Sequence, residues 1–293
     1  MARQLGFRIV NVFTRDGAAL SGNPLCVFED ARGLDHNAMQ ALAQQFNLSE
    51  TTFIFPSARV DATVRIYTPA FEMPFAGHPT LGTAHVIRAI TGRGALTLEM
   101  HAGDIKVVAT GPQQWRLQTA GTLVATPPIA SVAQLAAMLQ VPSEAIDPRA
   151  SWINTGSDQL IIPLASVAAV LNATPVPALL AQYGSSALRT EPIAYVWAWT
   201  DAAQTHVVAR TFFMAHGAVI EDPATGSACA NLGGWLLHTG GGSTAAGSAP
   251  RNIEVRQGDG IGRPSTLHLT IDPAGAIFVS GDVIEVARGT FAL

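Results

Sequence analysis

Val219-Ile220-Glu221-Asp222-Pro223-Ala224-Thr225-Gly226-Ser227-Ala228, followed by a largely apolar run to His238, is the stretch whose reading decides the fold. It has an echo earlier in the chain, at Phe75-Ala76-Gly77-His78-Pro79-Thr80-Leu81-Gly82-Thr83-Ala84. In register, Asp222 falls on His78, Pro223 on Pro79, Gly226 on Gly82, Ser227 on Thr83 and Ala228 on Ala84. The offset, 222 less 78, is close to half of the 293 residues. The pattern predicts an internal duplication in which each half carries one strand–turn–helix unit of the same design.

Backbone chemistry says what such a unit is good for. The first N–H groups of a helix have no partner within it, and the aligned peptide dipoles leave partial positive charge there. Pro79 and Pro223 are expected at the first helical position, where a missing N–H costs nothing. The polar residues just before them, His78 and Asp222, and the hydroxyls of Thr80, Thr83, Thr225 and Ser227 add hydrogen-bonding groups. Two such helix starts facing one cleft would make a receptor for a small acid. Asp-Pro on its own reads equally well as an ordinary cap. The duplicated register and the Gly/Thr/Ser content favour the receptor, with Gly77, Thr80, Thr225, Gly226 and Ser227 as candidate substrate-binding positions.

Composition narrows the class. The length suits two domains of ~120–150 residues. Hydrophobic residues make up 48% and charged residues only 13%, enough for two cores and thin for a fully solvated surface. That combination points to a buried subunit interface. A net charge of −4 offers no basic patch for nucleic acid. Two cysteines, Cys26 and Cys229, supply neither a disulfide framework nor a metal knuckle. The N-terminus lacks the apolar core of a signal peptide, and no apolar run reaches membrane-spanning length, so the chain reads as cytoplasmic.

Along the chain, many short strands alternate with few helices. Asp35 and Asn47 bracket a helix with Met39, Leu42 and Ala43 at helical spacing, and Ser131 with Gln134 makes a capping box. The helices after His78 and Asp222 are apolar on nearly every side, which predicts burial. We expect an α+β fold of two pseudo-symmetric lobes, each an antiparallel β-barrel wrapped around its central helix. The N-terminal lobe is expected over 1–120, with a last strand at about 284–293 returning to it. The C-terminal lobe is expected over 126–283, with the active cleft between the lobes. Segments 276–279 and 283–287 read as separate strands, and 240–249 as a flexible surface loop.

Among the residues able to do chemistry, Glu50 stands at a helix-to-strand corner before the run Thr-Thr-Phe-Ile-Phe. A carboxyl held in such surroundings suits a group that must both take and give a proton; the alternative is an exposed turn residue. Asp222 could be a second acid or hold a substrate amine. His78 could donate a proton or hydrogen-bond a carboxylate, and the other histidines read as structural. Arg263, in a tight Gly-Arg-Pro-Ser turn, is a candidate ligand contact. No metal-ligand spacing, phosphate loop, dinucleotide fingerprint or nucleophile elbow occurs, so neither metal nor cofactor is expected. A two-thiol racemase would need a cysteine at each helix start. Cys26 and Cys229 lie elsewhere and read as core packing.

Taken together, Gly22-Asn23-Pro24-Leu25, Asn47-Leu48-Ser49-Glu50-Thr51, Pro74 to Thr80, Glu221 to Ala228 and Gly262-Arg263-Pro264-Ser265 resemble, in order and over essentially the whole chain, the PhzF-like family named for the phenazine-biosynthesis isomerase. The resemblance implies the diaminopimelate epimerase fold, a homodimer and no cofactor. In the phenazine enzyme a Glu in the Asn-Leu-Ser-Glu motif moves a proton as trans-2,3-dihydro-3-hydroxyanthranilate is isomerised. By motif that residue is Glu50 here, with His78, Asp222 and Ser227 matching the accompanying His, Asp and Ser. The resulting expectation is a cofactor-independent isomerase or epimerase that moves a proton on a small carboxylate, with Glu50, His78 and Asp222 catalytic. The alternatives are a non-catalytic small-anion binder on the same fold, or a hydratase or lyase.

Overall fold

The apolar N-terminal run forms β1 (Gln4–Thr14), whose Val10, Val12 and Phe13 are fully buried. In the computed structural model, which describes residues 3–119, 121–215, 217–240 and 249–293, the chain divides into two units. One comprises Met1–Gln118 with Ser280–Leu293, the other Thr119–Val279.

In the first unit β1 is followed by β2 (Asn23–Phe28) and α1 (His36–Phe46). The Asp35 carboxylate accepts from the Ala38 N–H, and Asn47 closes the helix in the left-handed region, both as their residue types predict. Then come β3 (Glu50–Phe55), β4 (Ala62–Tyr67), β5 (Glu72–Met73), α2 (Gly77–Thr91), β6 (Ala95–Met100), β7 (Gly103–Ala109) and β8 (Gln114–Gln118). β1 pairs with β2, β3 with β4, β6 with β7 and β7 with β8, all antiparallel. β2 pairs in parallel with β3 across α1, and β4 in parallel with β6 across α2, because a parallel pair needs a crossover long enough for a helix. The last strand of the chain, Ile277–Ala292, pairs with both β1 and β8 and so closes the ring. α2 packs on β1, β2, β3, β7 and β8. Gly82 permits that approach: a Cβ there would sit 2.6 Å from Leu25 Cδ2 and 3.0 Å from the Val10 and Val12 methyls.

The second unit runs β9 (Val124–Thr126), α3 (Val132–Leu139), β10 (Ser151–Asn154), β11 (Asp158–Pro163), α4 (Val167–Asn172) and α5 (Pro177–Tyr183). It continues through β12 (Ile193–Trp199), β13 (His206–Ala215), β14 (Ala218–Asp222), α6 (Gly226–His238), β15 (Arg251–Gln257), β16 (Ser265–Ile271) and the start of β17 (Ile277–Ala292). The Ser131–Gln134 capping box opens α3 as expected. Here β11 and β12 are parallel across α4 and α5, and β13 and β15 are parallel across α6. The plan of the first unit is thus repeated. In the β2–β3 pair Leu25 faces Glu50; in the β11–β12 pair Leu160 faces Ala194. Glu50 and Ala194 stand at the same offset as His78 and Asp222.

Two expectations are corrected. Segments 276–279 and 283–287 merge into one continuous strand, β17, which opens at Ile277, stays extended through Gly281 despite that residue's weak strand preference, and pairs with β1 from Asp282 onward. The duplicated helix starts also differ. The first α-type bond of α2 runs from the Thr80 N–H to Ala76, whereas that of α6 runs from Cys229 to Thr225, more than a turn later in its copy. Pro79 therefore lies inside the first turn of α2 with His78 beside it, while Pro223 precedes α6 and Asp222 ends β14. The expected loop 240–249 lies, apart from its two ends, outside the described residues.

Candidate active site

Glu50 is the first residue of β3 and His78 the second of α2; parallel pairing of β2 with β3 and the packing of α2 on both bring the two together. His78 Nε2 lies 3.2 Å from Glu50 Oε2, with 7% and 15% of the respective side chains exposed. The two atoms are close without meeting the angles of a hydrogen bond. Burial pushes the His78 pKa down to about 3, partly opposed by the ring's hydrogen bond to the Pro24 carbonyl. Since Nε2 makes no hydrogen bond among the described residues, that bond falls to Nδ1. His78 is therefore a neutral imidazole with its proton on Nδ1 and Nε2 left as a bare acceptor 3.2 Å from Glu50 Oε2. An acceptor at that place can receive a hydrogen bond from a protonated carboxyl.

The lead-in to α2 is held from several elements. Arg65 of β4 makes two hydrogen bonds to Glu72 of β5, which also receives the Tyr67 hydroxyl at 3.1 Å and meets His101 Nε2 at 3.0 Å. Burial works against the charge of Glu72, but the Arg65 guanidinium overcomes it and holds the carboxyl down at about 2.

In the second unit Asp222 ends β14 and is tied to the turn that follows. The Thr225 hydroxyl donates to the Asp222 carboxylate and receives Gln257 Nε2 at 3.1 Å. Gln257 is buried and staples the turn at both ends: its Nε2 donates to the Asp222 carbonyl at 2.8 Å, and its Oε1 accepts the Thr225 N–H at 3.3 Å. This staple keeps Asp222–Thr225 out of the helix, which is why α6 opens late. Gly226 is the first residue of α6, and Ser227 follows with its Oγ accepting from Gln159 Nε2 at 2.8 Å.

The other sequence candidates are placed as follows. Gly77 begins α2 and is buried. Thr80 is fully buried and its hydroxyl donates back to the Ala76 carbonyl at 2.7 Å, so its proton serves its own helix. Arg263 belongs to a turn that packs on the Asp222–Pro223 segment. A Cβ on Gly258 would lie 2.2 Å from the Arg263 carbonyl oxygen and 2.6 Å from that of Pro223, and Gly258 has φ 80°. Cys26 and Cys229 are buried, and burial raises both thiols far above their usual range, in keeping with core packing. Among the described residues no group of three or more His, Cys, Asp or Glu is arranged to hold a metal ion.

Sequence reasoning missed Pro24, Gln159, Asn231 and Gln257. The signal for two of them was a lone amide beside apolar residues, Gln159 before Leu-Ile-Ile and Asn231 within an otherwise apolar and glycine-rich helix; Gln257 falls on the inward side of an alternating strand, in step with Ile253 and Val255. A buried amide needs partners, and its position marks where they converge. Pro24 acts through its carbonyl, which carries no side-chain signal.

Residues 10–289 match the family described as Phenazine biosynthesis-like protein. An uncharacterized isomerase of Pasteurella multocida is 38% identical, covering 99% of this chain and 94% of the relative. The trans-2,3-dihydro-3-hydroxyanthranilate isomerase of Pseudomonas aeruginosa is 34% identical over 92% of this chain and 94% of its own length. Among solved structures, the PhzF-family phenazine biosynthesis protein of Bacillus anthracis superposes with a TM-score of 0.82 at 21% identity, covering 99% of this chain and all of that one (100%). With the repeated barrel-and-helix plan and the motif residues placed as above, the chain belongs to the phenazine biosynthesis-like family and is an isomerase.

Proposed function

We propose that this isomerase moves a proton between carbons of a small unsaturated carboxylate, of the class of trans-2,3-dihydro-3-hydroxyanthranilate, by acid–base chemistry alone and without a cofactor. The observation that carries the reading is the Glu50–His78 pair at 3.2 Å, with the imidazole held neutral by burial. Glu50 takes a proton from a carbon made acidic by conjugation. The resulting carboxylic acid lies beside the His78 Nε2 acceptor, exchanges its proton with solvent during the lifetime of the intermediate, and returns a proton at another carbon of the conjugated system. The duplication supplies one such acid only, since the matching place in the second unit is Ala194. That asymmetry favours one group working in both directions over two opposed bases. Asp222 and Ser227 serve binding: the first accepts from a substrate amine, the second donates to a carboxylate.

The test is solvent deuterium incorporation into trans-2,3-dihydro-3-hydroxyanthranilate and its product in heavy water. Glu50→Gln, which keeps the shape and removes the base, is expected to lower exchange and turnover by roughly 10²–10⁴-fold, the usual worth of a positioned general base. A variant that exchanges as fast as wild type rules out Glu50 as the base.

A further inference from the structure

Ser227 sits at the end of a buried chain of amides whose direction is set by the backbone. The Thr155 N–H, which can only donate, points to Asn231 Oδ1 at 3.0 Å, and the Thr155 hydroxyl donates to the same oxygen at 2.7 Å. On its other side Asn231 Nδ2 donates to the Ser157 carbonyl, which can only accept, at 2.7 Å, and to Gln159 Oε1 at 2.8 Å. Turning the Asn231 amide over would set N–H against N–H and oxygen against oxygen, so its orientation is determined. Gln159 must then present Oε1 to Asn231 and Nε2 to Ser227. Asn231 is fully buried and Gln159 2% exposed, so water cannot take the place of either partner.

The consequence falls on Ser227. Its oxygen is engaged as an acceptor, and among the described residues no acceptor takes its proton, although the residue is only partly buried. It stands in the first turn of α6, where the backbone N–H groups are also donors without helical partners. Thr83, its counterpart in α2, is placed differently: fully buried and closed on the Thr52 hydroxyl at 2.8 Å, it faces no amide chain.

We propose that Gln159 and Asn231 are positioning residues that commit the Ser227 hydroxyl to donate to the substrate carboxylate, an inference that rests on the isomerase reading above. Neither touches the substrate. They act by deciding which way the Ser227 proton points.

Two isosteric variants test this. In Gln159→Glu the carboxylate accepts from both Asn231 and Ser227, so the relay stays bonded while the Ser227 proton is consumed. In Asn231→Asp the new acceptor turns Gln159 over, and its oxygen then takes the same proton from one bond further away. Affinity is read by calorimetry with 3-hydroxyanthranilate, the aromatic counterpart of the proposed substrate, at neutral pH, with a thermal melt confirming the fold of each variant. Ser227→Ala is expected to weaken binding by about tenfold, as for a lost hydrogen bond to a charged group. Gln159→Glu and Asn231→Asp are expected to weaken it at least as much. Each combined with Ser227→Ala should bind no worse than the more affected single variant, because both act through that hydroxyl. Lowering the pH should restore affinity in Gln159→Glu, since the introduced carboxyl, once protonated, donates to Ser227 as the amide does. With trans-2,3-dihydro-3-hydroxyanthranilate the loss should fall on KM more than on kcat.

A folded Gln159→Glu protein that binds as tightly as wild type overturns the proposal, as do effects that simply add to that of Ser227→Ala. If Gln159→Glu does not fold, Asn231→Asp carries the same two criteria. Tight, Ser227-dependent binding in a wild-type protein that exchanges no deuterium would leave this inference standing and remove the isomerase mechanism. Failure of the wild type to bind the carboxylate would remove both.

Discussion

His78 stays uncharged through the neutral range because its ring is buried, and this has a consequence for stability. Its pKa is about 3 in the fold against an ordinary 6.5, so in mild acid the unfolded chain binds a proton that the folded one refuses. The stability it confers is fully present above pH 6.5 and is lost as the pH falls from there toward 3. Urea titrations between pH 7 and 4 should show a slope of up to ~1.4 kcal/mol per pH unit from this one group. His78→Gln should flatten that slope, and an unchanged slope would mean that His78 is not buried neutral. Gly258 gives a second prediction at this scale. At φ 80° and with two carbonyl oxygens where a Cβ would go, Gly258→Ala must move backbone. It should cost at least ~1–2 kcal/mol, the ordinary penalty for a left-handed alanine, with the clash added to it. Because one of those carbonyls belongs to Pro223, KM should rise as well, and a neutral melt would contradict the packing.

At the scale of elements, the Asp222 turn is anchored through β13, β14 and α4. Arg210 of β13 makes two hydrogen bonds to Glu221 Oε2 and donates to the Val170, Leu171 and Ala173 carbonyls at the C-terminal end of α4, the last at 2.7 Å. The Glu221 side chain is 7% exposed, and its other oxygen, Oε1, has no hydrogen-bond partner among the described residues. Removing the arginine therefore leaves a buried charge and three carbonyls short of a donor. Arg210→Met should destabilise by ~3–5 kcal/mol in chemical denaturation, and adding Glu221→Leu should recover part of the loss. Equal destabilisation in the single and double variants would show that the ion pair is not what holds the turn. The acidic residue that precedes Asp222 in the motif thus has a part in tertiary anchoring.

At the scale of the molecule, the chain ends by completing the unit with which it began. Residues of β17 pair with β1 from Gln4↔Ala292 to Val10↔Glu285, and Glu285 receives Arg8 at 2.9 Å. Deleting residues 285–293 should open the first barrel while leaving the second unit's core residues in place. Calorimetry should then split off a lower-temperature transition, with proteolysis cutting first within 1–118; one transition at the wild-type temperature would contradict the closure. The duplicated motif, the caps at Asp35, Asn47 and Ser131, and the apolar central helices were legible in the sequence, because each depends on residues within a turn or two of one another. From these the repeated plan could be named, while the candidate base came from the helix-to-strand corner at Glu50 and its Asn-Leu-Ser-Glu motif. Where α6 begins, which nitrogen of His78 carries the proton, which way the Gln159 amide is turned and how far β17 runs were settled only in three dimensions. Each depends on a partner far away along the chain (Gln257, Pro24, Asn231 or β1), and no local spacing encodes which distant donor will meet which buried acceptor.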